Sequence, residues 1–223
     1  MGGIETHAVP PGSGVTPVTT VRRRASIRRD EIITAAGELF ADRGYPRTGI
    51  DDVGAAVGIA GTGIYKHFDS KADMLVAVIE RATDRLLERV DAISRETSDP
   101  SAVSVALVDN LIDTVVDEPA PFVVMMWERQ HLDRPTLRGL DRAHRLHIEE
   151  WVRGLTAVHP DLPDGEAQVI VHAVIGLTMT ACYRMRAVNV EELRRILRRM
   201  SLEILERGSG VDDGLAQLRR AGR

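Results

Sequence analysis

The sequence predicts an all-α fold of about nine helices, built as a small N-terminal domain joined by a long fourth helix to a larger helical domain. Three observations point there. Apolar residues recur at three- and four-residue intervals along most of the chain, with no convincing strand alternation. Hydrophobic residues make up 43% of the 223 positions while aromatics make up only 4%, which supplies a sizeable aliphatic core. Capping residues, glycines and prolines fall at the ends of the periodic runs.

The elements follow in order. Residues 1–20 are rich in Gly, Pro, Thr and Val without helical period and read as a disordered leader. The first helix is expected from about Ser26 to Arg43, with Ile32, Ile33, Ala36, Leu39 and Phe40 on one face and Gly44 as its left-handed stop. The second runs from Gly49 to Val57, with Thr48 as its N-cap, Asp51 and Asp52 in its first turn, and Gly58 ending it. A short third helix covers Thr62 to Phe68. Ser70, with Asp73 three residues on, caps a long fourth helix that reaches Ser94. Beyond Asp99-Pro100, helices are expected at 101–117, 121–131, 135–157, 164–185 and 190–207, punctuated by Pro119, Pro121, Pro135, Pro160 and Pro163. The domains are therefore a leader over 1–20, a helix-turn-helix unit over 21–71, a second domain over 72–207 and a flexible tail over 208–223.

Net charge is −4, yet its distribution is uneven. Residues 21–71 carry nine Lys/Arg against seven Asp/Glu, much of it in Arg22, Arg23, Arg24, Arg28 and Arg29. A basic end on an acidic body suits a protein that touches a polyanion with one end. The single cysteine, Cys182, builds no disulfide framework, no signal peptide is expected, and no unbroken run of 18 apolar residues occurs. A cytoplasmic location without membrane contact is expected. No nucleophile elbow, phosphate loop, HExxH pair or Cys/His constellation occurs, so an enzyme is not expected. His144 and His147 stand three apart on one helix, but no second ligand pair supports a metal, and no cofactor is expected.

The second and third helices form a capped helix, a turn of three or four residues, and another short helix. That is the helix-turn-helix plan, whose later helix enters the major groove. Ile50, Val53, Val57, Ile64 and Phe68 are its inward residues. The stretch from Arg29 to Leu75 resembles the N-terminal domain of the TetR family of bacterial transcriptional regulators. The matching pieces are the helix ending in Leu39-Phe40-Ala41-Asp42-Arg43-Gly44-Tyr45, then Thr48-Gly49-Ile50-Asp51-Asp52-Val53, Gly58-Ile59-Ala60, and Ile64-Tyr65-Lys66-His67-Phe68 followed by Ser70-Lys71.

The resemblance implies a ligand-responsive regulator, a repressor that binds a palindromic duplex operator as a homodimer and is released by a small molecule, and the mostly apolar candidate lining with a few basic groups suggests that this molecule is apolar or acyl-type. It implies that Gly61, Thr62 and Gly63 face base edges. Tyr65 and His67 meet phosphates or a nearby base, and Lys66 reaches the backbone or a guanine. Thr48 offers its N–H and hydroxyl to a phosphate, and Lys71 adds charge at the start of the fourth helix. Family members commonly carry a long polar residue at position 61, whereas Gly61 and Gly63 have no side chain to read with. Thr62, Lys66 and an arginine arm that includes Arg28 are left as readers, aided by DNA shape. In the second domain the resemblance implies a homodimer through the 164–185 and 190–207 helices and a ligand pocket. Phe122, Met125, Met126, Trp127, Trp151, Met179 and Tyr183 are its candidate apolar lining, with Arg129, His131, His144, His147 and His172 as polar contacts. Two alternatives stand beside this reading: a ligand-independent architectural DNA binder and, more weakly, an enzyme with no recognised motif.

Overall fold

The computed structural model describes residues 17–184 and 189–207. Among them lie nine α-helices and no strand. They are α1 (Pro17–Arg43), α2 (Ile50–Ala56), α3 (Gly61–Ile64), α4 (Lys71–Glu96), α5 (Pro100–Asp117), α6 (Pro119–Glu128), α7 (Arg134–Val158), α8 (Asp164–Arg184) and α9 (Val190–Arg207). A 3-10 turn over Arg129–His131 leads from α6 to α7.

The expected boundaries hold within a few residues, with two differences. α1 begins at Pro17, nine residues before the expected Ser26, so residues 17–20 are helical rather than leader. Proline is favoured in a helix's first turn, and no further proline or glycine follows until Gly37. The rest of the expected leader, residues 1–16, and the expected tail lie outside the described residues. α3 is shorter than expected and closes at Ile64, the chain turning on through Lys66 N–H to Gly63 O and through His67 and Phe68 N–H to Ile64 O.

Local chemistry explains most of the helix ends. Gly44 and Gly58 take φ of +84° and +71° after α1 and α2, the left-handed conformation that glycine adopts without strain. Ser70 Oγ accepts from Asp73 N–H at 3.1 Å to start α4. Asp99 and Asp133 accept from Ser101 and Thr136 N–H to start α5 and α7, each with a proline in the first turn.

Two cores result. The first packs Ile32, Phe40, Val53, Ile64, Phe68, Met74 and Leu75 from α1 to α4 and the turn after α3. The second packs Leu86, Leu111, Trp151, Val174 and Leu197 from the later helices. α4 belongs to both, its first half facing the first core and Ala82, Leu86, Val90 and Ile93 facing the second. α6 also spans them, since Val124 lies in the first core and Phe122 in the second. A fully buried side chain of this size contributes about 1.5–3 kcal/mol, so the two junction helices are held firmly on both sides.

α8 is, among the described residues, long and apolar enough by length and composition to cross a bilayer, although polar residues such as Gln168 and His172 interrupt its apolar run. Its Ala167, Ile170, Val171, Val174 and Thr178 are buried in the second core. Its opposite face exposes Val169 (69%), His172, Ala173, Gly176 and Thr180.

Candidate nucleic-acid interface and ligand cavity

The turn between α2 and α3 is set by close backbone approach. A Cβ on Gly54 would lie 2.8 Å from Ile59 O and 3.1 Å from Gly61 N, so α2 and the turn can touch only through glycine. Gly61 is itself buried beneath α2, and a Cβ there would collide with Asp51 Oδ1. Gly61 is thus a packing position and does not face bases, which corrects the expectation drawn from the resemblance.

Thr48 requires a second correction. Gly49, and not Thr48, is the N-cap of α2, and its N–H donates to Asp52 Oδ2 at 2.7 Å. Thr48 is 1% exposed. Its hydroxyl donates towards Gly44 O (3.0 Å) and Leu39 O (3.2 Å), and its N–H towards Tyr45 O at 3.4 Å. It locks the α1–α2 loop and has nothing left for a phosphate. Arg28 is similarly engaged: its Nη1 donates to Val57 O at 3.0 Å and pairs with Glu31 at 2.9 Å, so it braces the end of α2. Arg22, Arg23 and Arg24 fall within α1.

Of the expected readers, Thr62, Tyr65 and Lys66 are exposed, and Gly63 and His67 are half-buried. Tyr65 is 55% exposed, large for an aromatic on a closed core. Phe68 points inward, and Arg29 sits 4.7 Å over its ring. Lys71 Nζ lies 4.2 Å over the Tyr45 ring, and Tyr45 meets Phe40 edge-on at 5.2 Å. Burial lowers the Lys71 ammonium's pKa, against the pull of Glu128 and Asp52, and burial followed by Asp73 raises that of the Tyr45 phenol. Lys71 therefore tethers α4 to the α1–α2 loop and adds its charge from a half-buried position.

The second domain holds a partly open cavity of about 300 Å³ between α4, α6, α7 and α8, with Leu111 of α5 at its wall. Of the expected lining, the structure brings together Phe122, Met125, Met126, Arg129, His144, His147 and Met179. Leu86, Leu87, Leu111, Leu140 and Ile175 complete its apolar wall. Arg129 pairs with Asp141 at 2.6 Å. His147 is 6% exposed, and neither ring nitrogen has a hydrogen-bond partner among the described residues. Burial, with His144 beside it, pushes its pKa down to about 4.

Five expected lining residues lie elsewhere. Trp127 is 51% exposed on the outer side of α6, 5.9 Å from the Tyr183 ring. Tyr183 lines a separate hollow of about 450 Å³ between α1, α4, α6 and α8. That hollow is edged by Glu38, Asp42, Arg81 and Glu118 and was not foreseen. Trp151 is core, its ring 6.1 Å from that of His147. His172 is exposed, with Nδ1 2.7 Å from Gln168 O. His131 also misses the cavity, pairing with Glu128 at 3.4 Å. Burial pushes the Cys182 thiol up to about 11, so it is protonated and a poor nucleophile at neutral pH.

Residues 32–78 match the family described as bacterial regulatory proteins, tetR family. Residues 32–78 are thus the TetR-family part of this chain. Its relatives include the HTH-type transcriptional activator FasR of Mycolicibacterium smegmatis, 30% identical over 108 residues, covering 48% of this chain and 49% of that protein. The HTH-type transcriptional repressor KstR2 of the same species is 28% identical over 126 residues, covering 56% of this chain and 62% of that protein. The matched segments thus span about half to three-fifths of these relatives' length. A TetR-family transcriptional regulator from Bordetella parapertussis has the same fold, with a TM-score of 0.73 at 23% identity over 79% of this chain and 93% of that one.

The TetR family match covers the helix-turn-helix unit and the first turns of α4. The cavity lies beyond it, except where α4 enters the wall through Leu86 and Leu87. A signal for the missed cavity residues was present in the sequence. Leu86 and Leu87 follow Val78 and Ile79 on α4 by eight residues, close to two turns, and that spacing marks one continued face.

Proposed function

We propose that this chain is a homodimeric repressor that binds a palindromic duplex operator through α3 and is released by a small apolar or acyl-type molecule held in the second domain. The observation that carries this reading is the double membership of α4. Met74 and Leu75 hold it against the helix-turn-helix unit, while Thr83, Leu86 and Leu87 line the cavity. A ligand that reshapes the cavity wall therefore acts on the helix that positions α3, and its differential fit to two conformers shifts their population.

On the DNA side, Thr62, Tyr65, Lys66 and His67 are the readers and phosphate contacts this reading uses, with Gly63 allowing close backbone approach and Lys71 adding charge behind them. The exposed α8 face, with Val169, Ala173 and Gly176 on one side, and α9 beside it, supports the homodimer. Two α3 helices would then enter major grooves about 34–36 Å apart.

Selection of duplex DNA from a random library with the full chain tests the reading. Recovery of a two-fold symmetric site, lost when an apolar metabolite is added, is expected. Retention of DNA without a shared sequence, insensitive to any metabolite, would instead identify an architectural binder. A reporter placed behind the selected site fixes the direction, and repression is expected.

A further inference from the structure

We infer that the cavity between α4, α6, α7 and α8 takes a compact, uncharged, mainly apolar molecule whose buried end carries a hydroxyl or carbonyl oxygen for the His147 imidazole, and that it rejects a free carboxylate of the same length. This rests on the reading that the second domain takes a small molecule, and it narrows the chemistry of that molecule.

Size comes first. A cavity of about 300 Å³ sits at the lower end of small-molecule sites, which run from about 300 to 1,000 Å³. It suits a compact ligand.

Charge comes next. The polar groups on the wall are Thr83, Arg129, Asp141, His144 and His147. Thr83 Oγ1 donates to Ile79 O at 3.1 Å within its own helix. Arg129 bonds Asp141 through Nη2, and the two opposite charges on the wall cancel. A carboxylate brought inside would therefore add a net negative charge that no further Lys or Arg on the wall balances among the described residues. An uncharged ligand meets no such penalty.

His147 supplies the remaining specificity. Both its nitrogens, and Nε1 of the adjoining Trp151, are buried without a partner among the described residues. A polar group left so costs about 1–3 kcal/mol, and native folds retain few of them. A neutral imidazole offers one donor and one acceptor, the complement of a hydroxyl or of a carbonyl. Burial keeps this ring neutral at physiological pH. The nitrogens are nearly sealed, so a ligand must displace wall side chains to reach them. Met125, Met126 and Met179 are flexible enough to yield without backbone movement.

The experiment uses the full chain at pH 7.5 and the uncharged apolar fluorophore N-phenyl-1-naphthylamine. Nonan-2-one, nonan-1-ol and nonanoate are added as displacers of matched length. The ketone and the alcohol are expected to displace the fluorophore at concentrations at least tenfold lower than nonanoate. His147→Phe, which keeps a ring and removes both nitrogens, is expected to weaken the ketone and alcohol about five- to tenfold, as loss of one neutral hydrogen bond does, with the fluorophore's own affinity for the variant measured separately. His147→Gln, which restores a donor and an acceptor, is expected to return the ketone to within about threefold.

Nonanoate matching the ketone, no displacement by ketone or alcohol at millimolar concentration, or equal ketone affinity in His147→Phe would each overturn the inference. The ketone-to-carboxylate ranking is measured on the unaltered chain, so it decides the matter even if a variant does not fold. No DNA is present in this assay. A chain that selects a symmetric operator yet fails here loses this inference alone, and one that passes here yet selects no operator loses the operator reading alone.

Discussion

Arg81 Nη2 lies 2.9 Å from Glu118 Oε1, across the seam where α4 and the start of α6 meet α1. The same guanidinium donates through Nη1 to Thr34 Oγ1 at 3.0 Å and Asp30 O at 3.2 Å, and Arg85 pairs with the other oxygen of Glu118. One side chain therefore ties the helix-turn-helix unit to the helix that walls the cavity. Arg81→Met keeps most of the stem and removes the bonds. It is expected to destabilise the fold by about 2 kcal/mol, since a half-buried charged network is cut. The midpoint and slope of a urea titration check this, and the apolar metabolite is expected to release DNA less completely from the variant.

Gly54→Ala is expected to damage the reading unit more than its single methyl suggests. The new Cβ would press on Ile59 O and Gly61 N, which are backbone and cannot rotate away. A loss of about 1–3 kcal/mol in thermal unfolding, together with loss of operator binding, is expected. Gly58→Ala strains a positive φ but meets no neighbouring atom. It is expected to lower stability by about 1 kcal/mol while sparing the operator preference.

Thr48 and Lys66 separate packing from DNA contact. Thr48→Val removes the hydroxyl that serves Gly44 O and Leu39 O, and a lowered Tm of the free protein is expected, about 1–2 kcal/mol in stability. Lys66→Ala is expected to leave the Tm unchanged. In salt titrations of DNA binding it should weaken all sequences alike and flatten the dependence by about one unit of slope, as for one lost phosphate contact. A salt slope changed by Thr48→Val and not by Lys66→Ala would reverse the two assignments.

Acid stability is expected to report His147. In the fold its pKa is near 4, while in the unfolded chain it takes a proton below about pH 6.5. Within that window the unfolded chain binds the extra proton, so stability falls as pH is lowered from about 6.5 towards 4, by about 3 kcal/mol at the end. Burial lowers His144 in the same direction. His147→Phe should flatten the pH dependence of urea midpoints across this window. An unchanged curve would show that His147 is charged in the fold.

The helices were legible because apolar period and punctuation agree for most of them, as in α5, where Asp99 and Pro100 open a run ending at Asp117. The expected start of α1 falls nine residues late because Thr19 to Ala25 carries no apolar face to announce it. The cap at α2 went to Thr48 because both Thr48 and Gly49 suit that place. The carbonyls of Leu39 and Gly44 decide it, and they come near only once α1 has folded. On α6, Met126 faces the cavity and Trp127 does not, because one residue turns about 100° around the helix. Sequence names both as apolar and cannot see where the cavity lies. Arg28 looked like part of a charge run, and its bond to Val57 O spans 29 residues that only the tertiary fold brings together.

Asp51 above Gly61 fixes how this protein's operator preference can change. A side chain at 61 meets the Asp51 carboxylate first, so it enters only where Asp51 turns aside, and specificity read there is coupled to position 51. Single substitutions reach the exposed rim at 62, 65 and 66 without that adjustment. A retargeting library built one residue at a time would therefore sample variants that differ in strength of contact more than in the site they choose.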